Sequence, residues 1–119
     1  MSIGTNLNNN IYNTTIDTVT IAAAGTTSTA INLQGRELVQ ISLPSAISGA
    51  AFTFESSYDN VTYQQCVSKG GGAVTVTCAA AKNAVVDPGL LAGTRYIKLV
   101  RDNAQAAAKI INVITRPID

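Results

Sequence analysis

The stretch Leu38-Val39-Gln40-Ile41-Ser42-Leu43-Pro44 decides how the chain is read. Val39, Ile41 and Leu43 alternate with Gln40 and Ser42, so a strand here turns its aliphatic side chains to one face and its amides and hydroxyls to the other. Pro44 stops it, because proline has no N–H to give to a ladder. Working outward, runs of the same kind recur. Val19 and Ile21, Ala30–Leu33, Phe52–Ser56, Tyr63–Val67, Val74–Cys78, Ala84–Val86, Tyr96–Arg101 and Ile110–Thr115 are further strand candidates. Turn residues separate them: Gly25, Gln34-Gly35, Tyr58-Asp59-Asn60-Val61 and Gly70-Gly71-Gly72. About nine short strands punctuated in this way predict an all-β fold: a single antiparallel β-sandwich, jelly-roll-like.

The whole chain supports that reading. Its 119 residues form one domain, with 12 Ile, 10 Val and 14 Thr, the residues that suit a pleated, half-buried surface. Only 13% are charged, against 46% hydrophobic. Asp87-Pro88-Gly89-Leu90-Leu91 carries the N-cap and first-turn proline of a single helical turn, and Asn103–Ala108 reads as a hairpin loop.

Residues 1–16 stand apart from the domain at 17–119. Asn6, Asn8, Asn9, Asn10 and Asn13 crowd together, and neither a period of two nor one of 3.6 links Ile3, Leu7, Ile11, Tyr12 and Ile16. This segment is expected to be an extended N-terminal arm. Ordering it would cost on the order of 1–2 kcal/mol per residue, so it needs a surface, that of a second molecule or of its own sheet. Met1–Asn10 lacks the basic and apolar regions of a secretory signal. Synthesis in the cytoplasm, with reduced thiols, is the expectation.

Composition narrows function by exclusion. There is no His, which removes imidazole bases and His-ligated metals. A net charge of +1 gives no basic field for nucleic acid, and no apolar run is long enough to span a membrane. Glu55 and Asp59, the closest acidic pair in sequence, read as a solvated strand residue and a turn former rather than a glycosidase pair. No catalytic residue, metal or cofactor is expected. Cys66 and Cys78 would lie on neighbouring strands. If Val67 pairs with Val74 and Tyr63 with Cys78, the two cysteines point to opposite faces, and no disulfide forms between them. Four tyrosines (Tyr12, Tyr58, Tyr63 and Tyr96) could stack on sugar rings. The segment Arg95–Arg101 would place Ile97 and Leu99 inward, with Tyr96 and Lys98 outward.

Two segments taken together carry a likeness. Leu43-Pro44-Ser45-Ala46 leads into Phe52-Thr53-Phe54-Glu55-Ser56-Ser57-Tyr58-Asp59-Asn60. Later comes Asp87-Pro88-Gly89-Leu90-Leu91-Ala92-Gly93-Thr94-Arg95-Tyr96-Ile97-Lys98-Leu99. The chain resembles small tailed-phage virion proteins over roughly residues 37 to 116, and looks most like the jelly-roll cement (decoration) proteins of phage heads. That resemblance implies a non-enzymatic structural protein of the virion, assembled in the host cytoplasm, that binds the major capsid protein and itself as a homodimer or homotrimer and stabilises the shell. The arm residues Ile3, Leu7, Asn8, Asn9, Asn10, Ile11 and Tyr12 are then the expected partner-binding set. Tyr58, Asp59, Asn60, Tyr96 and Lys98 form a second candidate contact surface. A carbohydrate-binding module on the virion surface and a tail or head–tail component are the alternatives.

Overall fold

The computed structural model describes residues 14–87, 89–91 and 93–117. Nine strands and no helix are present among them: β1 (Thr15–Ile21), β2 (Ile31–Asn32), β3 (Arg36–Ser42), β4 (Ala51–Ser57), β5 (Gln64–Gln65), β6 (Val76–Thr77), β7 (Asn83–Val85), β8 (Tyr96–Arg101) and β9 (Lys109–Pro117). They form two sheets, in the orders β1-β9-β3-β7 and β2-β8-β4-β5, with β6 also on β4. Every strand pair is antiparallel. With the short β6 set aside, this is the double Greek-key order of a jelly roll, in which successive strands mostly cross from one sheet to the other. The sandwich expected from the sequence is the one found.

Period-two patterning fills the core. Ile111 and Val113 of β9, Ile97 and Leu99 of β8, Phe52 and Phe54 of β4, and Val19 and Ile21 of β1 are all buried between the sheets. β1 starts at Thr15, which lies opposite Thr115.

Three local expectations need correction. In β3 the alternation does not run through. A bulge between Leu38 and Gln40 inserts Val39 as an extra residue, so Leu38 pairs with Thr115 and Gln40 with Ile114. Leu38, Ile41 and Leu43 are therefore buried, while Val39 is only half-buried. Second, the 66–78 hairpin is offset by one residue. Val67 bridges Ala73, the Val74 N–H donates to the Cys66 carbonyl, and the chain then leaves to pair Val76 with Phe52 on β4. Cys78 is buried and Cys66 packs at the edge of the same core, so the expected separation onto opposite faces does not hold, yet both thiols are free. Third, the 87–91 segment is a hydrogen-bonded turn. The Leu90 N–H donates to the Asp87 carbonyl, and Gly89 has φ +86°, a conformation that ends a right-handed helix.

Candidate functional site

The β4–β5 hairpin builds one end of the molecule. Asp59 organises its tip: Oδ1 accepts from the Val61 and Thr62 N–H groups and from the Ser57 hydroxyl, and Asn60 takes the left-handed φ of +62° that the turn requires. Those backbone donors, Val61 first, hold the Asp59 carboxyl below the usual carboxylate range. The Ser57 hydroxyl also accepts from the Asp59 and Asn60 N–H groups. Tyr58, 88% exposed, projects from this braced turn into solvent.

Strand β8 runs beside the hairpin and carries Tyr96 and Lys98 on its outer face, as the alternation predicts. Lys98 lies opposite Glu55 and its ammonium sits 4.2 Å from the centre of the Tyr63 ring. The Tyr63 hydroxyl donates to Asn60 Oδ1, tying the ring back to the turn. Burial pushes the Tyr63 phenol up, and Tyr96 and Asp59 act in the same direction. The Arg95 guanidinium lies 5.2 Å from the Tyr96 ring centre. The fold thus gathers Tyr58, Asp59, Asn60, Tyr96 and Lys98 at one end of one sheet, with Tyr63 as the link between hairpin and strand.

Two clefts open at this end and share one wall. The first, of about 260 Å³, lies between the hairpin residues Ser57, Tyr58, Gln64 and Gln65 and the segment Gly93–Arg95. The second, of about 430 Å³, is lined by Gln34, Gly35, Arg36, Gly93, Thr94 and Arg95. Gln34 and Gly35 sit in consecutive left-handed conformations (φ +43° and +79°), which sets the sharp corner between β2 and β3. Arg36 is half-buried: its Nε donates to Thr115 Oγ1 at 2.9 Å and its Nη2 to Thr15 Oγ1 at 2.5 Å. Nothing in the sequence joins Arg36 to Arg95: they are distant in the chain, and only the pairing of β2 with β8 brings their loops together.

A second surface lies on the other sheet. Ile16, Ile114, Gln40 and Val85 form one row across β1, β9, β3 and β7 on its outer side. Ile16 is 68% exposed and Val85 80%, with Ile110 at 61% nearby on β9. β1 is an edge strand containing neither Lys nor Pro. Among the described residues Thr29 covers its far end, with its N–H on the Thr20 carbonyl and its hydroxyl accepting from the Thr20 N–H. The arm residues Ile3, Leu7, Asn8, Asn9, Asn10, Ile11 and Tyr12 lie outside the described residues.

No protein-family model, curated protein or solved structure matches the chain.

Proposed function

We infer that this protein is a structural, non-enzymatic component of a phage virion, a cement or decoration protein that binds and stabilises the capsid shell. The observation that carries the reading is the outer face of the β1-β9-β3-β7 sheet. Isolated exposed aliphatics are ordinary, but Ile16 and Val85 end one row that runs through half-buried Ile114 and Gln40. Covering those two exposed side chains against another protein yields at most about 1.5–3 kcal/mol each. The row ends at the thinly guarded edge of β1, and residues 1–13 lead into that strand. An arm continuing from the rim of an adhesive face suits a molecule placed between neighbours. Many copies on one shell would add avidity to modest single contacts.

The test is head decoration by a chain lacking residues 1–13, which leaves β1 whole. The expected result is a folded protein that no longer occupies heads. Full occupancy by the truncated chain would reject the arm's role, and failure of the intact chain to enter purified virions would reject the function.

A carbohydrate-binding module is the second reading, and one feature favours it. Tyr58 stands exposed beside a cleft that Gln64, Gln65 and Thr94 also line, an aromatic ring next to polar residues at a common rim.

A further inference from the structure

We propose that the cleft between Arg36 and Arg95 is an oxyanion subsite and that, with the Tyr58 cleft across the shared wall, it binds an acidic saccharide. The proposal deepens the carbohydrate-binding reading and rests on it.

The lining is one-sided in charge. Gln34, Gly35, Arg36, Gly93, Thr94 and Arg95 include two guanidinium groups and no carboxylate. Among the described residues the ion pairs are Arg116 with Glu37 and Arg101 with Asp102, and neither cleft arginine has an acidic partner among those residues. Arg36 is held in place by neutral partners, the hydroxyls of Thr115 and Thr15 and, at 3.3 Å, the Thr115 carbonyl, which orient its guanidinium without neutralising it. Arg95 is exposed and rests against the Tyr96 ring, which restricts it and leaves its charge in place. Gln34 lines the same cleft, and its Oε1 accepts from Asn32 Nδ2. Arg36 keeps Nη1 as its unengaged donor, and the exposed Arg95 keeps a planar fork, the geometry that carboxylate and sulfate oxygens accept.

The neighbouring cleft decides the carrier. It has no positively charged lining apart from the shared Arg95, and it offers a ring and neutral amides and hydroxyls, the groups that meet sugar hydroxyls and the apolar face of a pyranose. A chain with an acid on one residue and plain hydroxyls on the next would fill both. The acid could be the carboxylate of a uronic acid or a sulfate ester. Both present the same oxyanion.

Calorimetric titration of the full chain tests this with four probes: a uronic-acid tetrasaccharide, a sulfated tetrasaccharide, the uncharged tetrasaccharide and inorganic sulfate. The expected result is binding of at least one acidic saccharide, at least tenfold tighter than the uncharged one and weakened by added salt. Arg95→Gln should weaken it about tenfold, the effect of losing one charge-assisted hydrogen bond, while leaving the thermal midpoint unchanged. Tyr58→Ala should weaken acidic and uncharged saccharides alike. Equal binding of charged and uncharged saccharides, both lost in Tyr58→Ala, would overturn the oxyanion subsite and leave the carbohydrate reading standing. Binding of inorganic sulfate as tight as that of the sulfated saccharide, or no saccharide binding at all, would overturn the proposal.

Discussion

Arg101 is the least expected residue in the molecule. It is 1% exposed and sits at an inward position of β8, in line with Ile97 and Leu99. What makes the site tolerable is the 48–50 corner: Nε donates to the Ser48 carbonyl at 2.8 Å and Nη2 to the Gly49 carbonyl at 2.6 Å, with the guanidinium 4.6 Å from the Phe52 ring centre. Asp102 caps the same corner by accepting from the Ala50 N–H. Arg101→Met removes the only side-chain donor to the Gly49 carbonyl among the described residues and should cost about 1–3 kcal/mol in denaturant unfolding, with Arg101→Lys intermediate. Gly49 is bound to this arrangement. Its φ is +98°, and a Cβ there would stand 2.2 Å from Asp102 Oδ1 and 2.9 Å from Arg101 Nε. Gly49→Ala should therefore destabilise by about 2 kcal/mol or more, read from the same unfolding curves. The acids add a pH dependence. The Ala50 N–H, above all, holds the Asp102 carboxyl below its ordinary value, as the Val61 N–H does for Asp59. A carboxyl depressed on folding stabilises above its unfolded pKa, and the benefit drains away as pH falls through the folded value. The fall in thermal midpoint below about pH 4 should thus be shallower in the Asp59→Asn, Asp102→Asn double variant than in the parent.

At the scale of the element, the bulge in β3 shows both the reach and the failure of pattern reading. Deleting Val39 should restore strict alternation while Arg36–Leu38 and Gln40–Ser42 keep their present partners on β9. Cooperative unfolding by circular dichroism should then be retained, and its loss would show that the bulge itself is needed. Strand positions and faces in β4, β8 and β9 were legible because each has a buried strip at every second residue, such as Phe52 and Phe54 or Ile111 and Val113. The β3 stretch misled because Leu38 and Val39 are both aliphatic, and only the partner strand settles which one is surplus. The 66–78 hairpin misled for a related reason. Its first register step looks the same from Val67 to Ala73 as from Val67 to Val74, and the later pairing of Val76 with Phe52 is non-local. The end site was half legible. Tyr58, Asp59 and Asn60 announce a turn, and Tyr96 and Lys98 an outer face, but the meeting of residues 34–36 with 93–95 is a property of topology and leaves no local signature.

For the whole molecule, the two sheets present surfaces of different character. The outer face of the β1-β9-β3-β7 sheet sets exposed Ile16, Val85 and Ile110 among polar residues such as Thr18, Gln40, Asn83 and Asn112, whereas the other sheet carries aromatic, amide and cationic groups around its clefts. Substituting Val85 and Ile110 by Lys should leave stability within about 0.5 kcal/mol, since both are exposed. The same double variant should lose self-association in light scattering and lose head binding, if that face is the adhesive one. A variant that keeps both would move the contact elsewhere on the molecule.

The pairing of Thr15 with Thr115 has a mechanical meaning. Because β1 and β9 run antiparallel, the place where the chain enters the sandwich lies beside the place where it leaves. Tension applied across those two points would peel the pair apart rung by rung, as a zipper opens, and should need little force. A load carried from residues 1–13 to the outer face of the sheet would instead drag β1 along its length, straining all its rungs together. A strand pair arranged this way resists sliding and yields to peeling.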